Sequence, residues 1–140
     1  MKKIAIVYYS QTGNTEAMAG VIEDYLKDKA DVSVIDPAAF GPDDMDAFEG
    51  FAFGCPAMGA EVLEEDVYEP MFASIENSLN GKKLILFGSY GWGDGEWMRN
   101  WEERCRNAGA LLACDPVIAN EAPDAEAEEN LRKAAEALIA

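Results

Sequence analysis

Six consecutive residues, Ser10-Gln11-Thr12-Gly13-Asn14-Thr15, supply three hydroxyls, two side-chain amides and one glycine, with no charged group among them. At the start of a helix such a segment can hold an anion. The first N–H groups of a helix have no partner within it and lie at the positive end of its dipole. Glycine frees the backbone to close around the ligand. The same residues would also serve as plain helix caps, since Ser, Thr and Asn satisfy a first turn. Two other phosphate loops are excluded. The glycine spacing and Gly-Lys-Ser/Thr ending of a Walker loop are missing, as is the glycine fingerprint of dinucleotide-binding folds.

Composition removes other chemistry. The chain has no His, hence no Ser-His-Asp triad, no Cys-His pair and no imidazole metal ligand. Its three cysteines, Cys55, Cys105 and Cys114, form no Cys-x-x-Cys pair and leave at least one free thiol, which fits a reducing compartment. Cys55 and Cys114 read as small buried strand residues. The 140 residues carry 27 Asp and Glu against 11 Lys and Arg, a net charge of -16 that repels nucleic acid and anionic membranes. A hydrophobic fraction of 49% shows that this acidity does not mean disorder. The length implies one domain, 1–140, with a real core. The apolar run Ile4 to Tyr9 is shorter than the roughly 7–15 residues of a signal-peptide core. No segment approaches the roughly 18 apolar residues of a membrane span. A cytoplasmic protein is expected.

The elements that must position the loop alternate along the chain. Ile4 to Tyr9 is a continuous apolar run, typical of a strand covered on both faces. Thr15 to Lys29 is helical, with Met18, Val21, Ile22, Tyr25 and Leu26 recurring at helical spacing. Val32 to Ile35 is a second strand, and residues 37–49 form a loop with one helical turn near Met45. Phe51 to Cys55 is a third strand, ended by Pro56. A helix begins near Pro70, buries Met71, Phe72, Ile75 and Leu79, and stops at Gly81. Leu84 to Phe87 is a fourth strand, and loop 88–95 leads into a helix ending at Gly109. Leu111 to Cys114 and Val117 to Ala119 form a fifth strand interrupted at Pro116. The last helix, Pro123 to Ile139, packs through Ala127, Leu131, Ala134, Ala135 and Leu138. This alternation implies a doubly wound, five-stranded parallel sheet with helices on both faces. Ligands of such sheets bind beyond the carboxyl ends of the strands, where the strand order reverses. Loops 10–15, 56–61 and 88–95 emerge there and are the richest in Gly, Ser and Thr.

Ser10-x-Thr12-Gly13-Asn14-Thr15-Glu16 after an apolar strand resembles the FMN-phosphate loop of flavodoxins. Gly54-Cys55-Pro56-Ala57-Met58-Gly59-x-Glu61 and Phe87-Gly88-Ser89-Tyr90-Gly91-Trp92-Gly93-Asp94-Gly95-x-Trp97-Met98 resemble segments of the short-chain flavodoxins of anaerobic clostridia and their relatives. The resemblance covers the whole chain and implies the flavodoxin-like strand order 2-1-3-4-5. The path from Leu111 to Ala119 lacks the insertion of the long-chain members. Gln11 departs from the small residue expected at its position.

The resemblance implies phosphate binding by Ser10, Gln11, Thr12, Gly13, Asn14 and Thr15. It implies stacking of the flavin ring on Trp92, which sits between two glycines and off any periodic apolar face. Trp97 and Trp101, one turn apart on the next helix, read as core. Ser89, Tyr90, Gly91 and Gly93 would run along the ring and ribityl chain, with Gly91, Gly93 and Gly95 free to take φ > 0. Pro56, Ala57, Met58, Gly59, Ala60 and Glu61 would form the opposite wall. There Met58 covers the ring, or fills core, and Glu61 accepts from flavin N3–H. In flavodoxins the Gly59 carbonyl position turns to accept the N5–H formed on one-electron reduction. If that turn needs φ > 0 at Ala60, alanine costs roughly 1 kcal/mol more than glycine. Ala60→Gly is then expected to raise the first potential by tens of millivolts.

The implied function is one-electron transfer by tightly but non-covalently bound FMN, mainly between semiquinone and hydroquinone. Reduction to an anionic hydroquinone beside phosphate and many carboxylates is opposed electrostatically, so the potential is low. No residue acts as nucleophile or base, and no metal is called for, so the protein is an electron carrier rather than an enzyme. A monomer is expected, with low-potential oxidoreductases carrying basic docking faces as partners. Three alternatives share related topology. A response-regulator receiver needs acidic residues after the first strand, an Asp after the third and a Lys after the fifth. Here those places hold Ser10-Gln11, Cys55-Pro56 and Ala119-Asn120. A low-molecular-weight tyrosine phosphatase needs a Cys after the first strand, which is missing. A flavin-dependent quinone reductase usually has a longer chain and a nicotinamide site. Glu61, Glu64, Glu65, Asp66, Glu69, Asp94 and Glu96 flank the flavin loops and are expected to form an acidic collar for basic partners.

Overall fold

Continuous apolar runs become the inner strands of one parallel sheet in the computed structural model, which describes residues 1–140. The strands are β1 (Lys3–Tyr8), β2 (Asp31–Ile35), β3 (Gly50–Gly54), β4 (Lys83–Tyr90), β5 (Leu111–Leu112) and β6 (Val117–Asn120). The helices are α1 (Asn14–Leu26), α2 (Tyr68–Ile75), α3 (Glu96–Asn107) and α4 (Ala125–Ile139). The sheet runs β2-β1-β3-β4, and β5 and β6 both pair with β4 on its far side. Leu84 is beside Leu112, and Ser89 beside Ala119. The two short strands are therefore one interrupted edge strand, and the order is 2-1-3-4-5 as expected.

Alternation along each strand builds two cores. Ala5, Val7, Phe51, Phe53, Leu84 and Leu86 face α2 and α3, whose Phe72, Met98 and Trp101 close that layer. Phe53, Phe72, Trp101 and Tyr68 form a chain of edge-to-face rings with centroids 5.4–5.8 Å apart. On the other face Ile4, Ile6, Ala52, Ile85 and Phe87 pack against α1 and α4. The α4 contacts are Ala127, Leu131, Ala134, Ala135 and Leu138, as its periodicity predicts. On α1, Met18, Ile22 and Leu26 are buried, while Val21 and Tyr25 lie partly buried at the margin. No helix is long and apolar enough to cross a membrane.

Several boundaries differ from the sequence reading. Residues 37–49 hold two 3-10 segments, Pro37–Ala39 and Pro42–Ala47, rather than one turn. Asp36 caps the first by accepting from Ala38 N–H at 2.8 Å. α2 starts two residues before Pro70, because the Glu64 side chain receives its first N–H groups. α4 starts at Ala125, where Asp124 accepts from Ala127 N–H at 2.8 Å. β4 extends through Tyr90, because β6 offers it partners from Val117 to Asn120. Ser89 and Tyr90 thus belong to a strand end, and only residues 91–95 form the following loop.

Candidate functional site

Between β1 and α1 the chain turns at Gly13, whose φ of 95° is left-handed and favours glycine. Gly13 has no side chain to cap the helix. Ser10 does so from a distance, with Oγ accepting from Gly13 N–H at 3.2 Å and Glu16 N–H at 3.1 Å. The N–H groups of Gln11, Thr12, Asn14 and Thr15 have no protein acceptor. Capping therefore accounts for Ser10, while Gln11, Thr12 and Asn14 are left with unused donors at a helix N-terminus. The Thr15 hydroxyl is instead 3.1 Å from the Ser89 hydroxyl, which ties this loop to the end of β4.

The loop after β3 forms a tight hairpin. Met58 and Val62 exchange backbone hydrogen bonds of 3.0 and 3.2 Å. Gly59 and Ala60 are exposed at its tip. Left-handed φ values fall on Gly59 (27°) and Glu61 (57°), not on Ala60. Glu61 folds back under the neighbouring loop and is only 9% exposed. Its Oε2 accepts from Glu96 N–H at 3.1 Å and caps α3, whose N-cap residue Gly95 has no side chain. Its Oε1 is buried without a hydrogen-bond partner. A Cβ at Gly93 would overlap that oxygen, and Gly93 has φ 89°. Gly95 is also left-handed, but Gly91 is not, contrary to expectation. Gly91 instead lies against Glu121, whose Oε1 is 3.3 Å from where a Cβ would stand. Trp92, between these glycines, is 67% exposed, whereas Trp97 and Trp101 are core.

One hollow gathers the separate loops. It is lined by Gln11, Thr12, Asn14 and Thr15, by Pro56, Ala57 and Met58, by Ser89, Tyr90 and Gly91, and by Glu121. Backbone bonds hold the lining in place: Ala57 N–H donates to Ser89 O at 3.0 Å, and Glu121 N–H to Tyr90 O at 2.9 Å. The hollow measures about 140 Å³, with Met58 in its wall and Trp92 next in the chain after Gly91. A larger open hollow of about 560 Å³ lies between α1 and α4, away from the strand ends where ligands of such sheets bind. Glu121 is the residue that sequence reasoning missed. The signal was topological: Asn120-Glu121 follows the last strand at the same edge of the sheet as the other three loops.

The acidic collar needs correction. Glu61 and Glu64 are buried, and each caps a helix. Burial alone pushes the Glu64 carboxyl up, but hydrogen bonds from Tyr68, Val67 and Asp66 N–H outweigh it and hold the group below its ordinary value. Glu69 is occupied by Arg104, whose guanidinium donates to both its oxygens at 2.7 and 2.8 Å. The exposed members are Glu65, Asp66, Asp94 and Glu96. Among the thiols, burial pushes Cys55 and Cys105 up to about 12. Cys55 is fully buried as expected, while Cys114 is only half-buried, in the break between β5 and β6.

Glu61, whose unpaired Oε1 is closed in beneath Gly93, lines a separate hollow with Leu63, Trp97 and Arg104; the site itself has free N–H donors for an anion and, beside them, an exposed indole for a flat ring. These fit FMN. The sequence matches the family model described as Flavodoxin over residues 6–134. It is 47% identical over 122 residues to a flavodoxin of Megasphaera elsdenii, covering 86% of this chain and 88% of that protein. It is 44% identical over 126 residues to a flavodoxin of Clostridium beijerinckii, covering 89% and 91%. The solution structure of two-electron reduced Megasphaera elsdenii flavodoxin superposes with a TM-score of 0.85 at 46% identity, covering 94% of this chain and 97% of that one. Sequence, strand order and site agree: the chain belongs to the flavodoxin family of FMN-binding electron carriers, which are electron-transfer flavoproteins rather than enzymes.

Proposed function

We propose that residues 1–140 form one FMN-binding domain that carries single electrons at low potential, as a cytoplasmic monomer. The observation that carries this reading is the set of unpaired N–H groups at Gln11, Thr12, Asn14 and Thr15, in the same hollow as Met58 and Ser89–Gly91. Bound here, FMN would supply the one-electron chemistry. The chain's residues bind, orient and bias it. The helix N-terminus and the hydroxyls of Thr12 and Ser10 hold the phosphate without a cation. Trp92 would cover one ring face and Met58 the other, with Glu61 the acceptor for ring N3–H once its carboxylate turns out from beneath Gly93. Gly59, at the hairpin tip, offers its carbonyl toward the ring edge.

Glu65, Asp66, Asp94 and Glu96 leave the site's edge acidic, which suits low-potential oxidoreductases with basic docking faces. Flavin-free protein titrated with FMN is expected to quench its fluorescence at one equivalent. An anaerobic reductive titration followed by absorbance is then expected to show two separate one-electron steps. A single two-electron bleach would overturn the reading.

A further inference from the structure

Two buried side-chain polar atoms have no hydrogen-bond partner, Glu61 Oε1 and Trp101 Nε1. A carboxylate oxygen accepts and an indole N–H only donates. Both residues line one hollow of about 130 Å³, with Leu63, Trp97, Asn100 and Arg104. The neighbouring polar groups are engaged or wet. Trp97 Nε1 donates to Cys55 O at 3.0 Å, Arg104 donates to Glu69 and Glu76, and Asn100 is exposed. Neither orphan is free to look elsewhere. Trp101 is 2% exposed and meets Tyr68 and Phe72 edge-to-face. Glu61 is held by its Oε2 on Glu96 N–H and by Gly93 against Oε1.

A donor and an acceptor buried without partners are both costly, and these two do not bond each other. A group that satisfies both must accept from an indole N–H and donate to a carboxylate. A metal ion cannot accept, and an anion is repelled by Glu61. A neutral hydroxylic molecule does both. The smallest is water, which needs only about 10–15 Å³ of such space. We propose that Glu61 Oε1 and Trp101 Nε1 share one bound water, through which Trp101 acts as a positioning residue that holds the Glu61 carboxylate in its inward, helix-capping place. Because both atoms are buried, this water is internal and exchanges slowly. The bridge itself does not depend on FMN. Its consequence for the cofactor rests on the FMN reading above: Glu61 must leave the water before it can turn out to ring N3–H.

The test uses isotope-labelled, flavin-free protein, with the indole N–H signals assigned by Trp92→Phe, Trp97→Phe and Trp101→Phe. Trp101 Nε1–H is expected to show a direct NMR contact to a long-lived water, lost in Glu61→Ala. Trp97 Nε1–H, already bonded to Cys55, is the dry control. Trp101→Phe keeps a ring beside Tyr68 and Phe72 and removes the N–H. Its effect on Glu61 is read at Glu96 N–H, where hydrogen exchange is expected to quicken about three- to tenfold, the size of one lost hydrogen bond. Ala108 N–H, at the other end of α3, should not change. A double-mutant cycle of Glu61→Ala and Trp101→Phe in urea cancels the volume lost with the indole. The two effects are expected to depart from additivity by about three- to tenfold in the unfolding constant. A dry Trp101 N–H in the wild type, or an additive cycle, overturns the proposal, and the wild-type measurement decides even if Trp101→Phe does not fold. Adding FMN to the wild type is expected to shift the Trp101 signal and leave Trp97 in place. FMN binding with the Trp101 water contact unchanged overturns the positioning role, whereas failure to bind FMN overturns the cofactor reading alone.

Discussion

The hydroxyls of Thr15 and Ser89 lie 3.1 Å apart, joining the first turn of α1 to the end of β4. Ser89 N–H also points at Thr15 Oγ1 at 3.4 Å, and the two residues are 1% and 4% exposed. The anion loop and the strand leading to Trp92 are therefore held in one frame. Thr15→Val keeps the shape and removes the hydroxyl, leaving Ser89 with an unpaired buried group. The expected cost is about 1–3 kcal/mol in urea denaturation of the flavin-free protein. FMN affinity should fall with it, and Thr15→Ser should restore both. Full stability in Thr15→Val would mean that the link is not structural.

Gly93 leaves room for Glu61. A methyl group there meets the Glu61 carboxylate, at a φ of 89° that alanine tolerates poorly. Gly93→Ala is expected to destabilise the protein by about 1–2 kcal/mol from backbone strain alone, and to displace Glu61 from Glu96 N–H. FMN binding then weakens beyond the stability loss. Ala60→Gly is the contrast. Ala60 does not have positive φ, so glycine there only enlarges the unfolded ensemble, costing about 0.4–1 kcal/mol. Isothermal titration and thermal unfolding of both variants separate the two effects.

The loops that build the site were legible because each breaks a periodic apolar run at the same edge of a parallel sheet. Ser10 to Thr15 and Trp92 stood out for that reason. The carboxylates were not legible. Glu64 and Glu69 read as exposed collar charges and Glu61 as an acceptor for flavin N3–H, because their burial depends on partners distant in sequence: the N–H groups opening α2 and α3, and Arg104. Glu121 was hidden because a left-handed turn is usually announced by Gly or Asn, and here glutamate occupies it. The length of β4 depended on β6, whose pairing exists only in three dimensions.

Cys55 and Cys105 are buried, with their thiols pushed up to about 12 by loss of water. Both should stay protonated and inert in the native state. Cys114 is half-buried, and burial also raises its thiol, so it should react slowly. Ellman's reagent at pH 8 is expected to label about one thiol in native protein and all three after denaturation. Rapid labelling of two or more native thiols would contradict the packing around β3 and α3.

Glu64 accepts from Asp66, Val67 and Tyr68 N–H at 2.7–2.8 Å and starts α2. Burial raises its carboxyl, the three hydrogen bonds lower it, and the lowering prevails. A depressed native value means that its stabilisation is complete above the unfolded value of 4.5 and is lost as pH falls through the lower native value. Glu64→Gln keeps one acceptor and turns an amide toward the other donors. It is expected to lose roughly 1 kcal/mol near neutral pH, in the range of a lost helix cap. The wild-type advantage should shrink between about pH 4.5 and lower values. An advantage independent of pH in this window would show that the carboxylate charge contributes nothing to the cap.

The charge distribution should act on rates. Lys2, Lys3 and Lys83 lie where strands begin and Arg106 where α3 ends, toward the edge opposite the site, while Arg104 is held between Glu69 and Glu76. Arg99, in the first turn of α3, is the cation beside the Trp92 loop, and its guanidinium is 3.0 Å from Asp94 Oδ1. Arg99→Gln frees Asp94 and makes the exposed edge with Glu65, Asp66 and Glu96 more uniformly acidic. Reduction of a basic haem protein such as cytochrome c, followed by stopped flow, is expected to become about two- to threefold faster at low ionic strength, since steering by complementary charge acts on encounter. The exposed pair itself contributes little stability, so unfolding should hardly change. Raising salt shortens the screening length to below about 8 Å and should erase the difference while slowing both proteins. If wild-type transfer is indifferent to salt, the acidic edge does not guide docking.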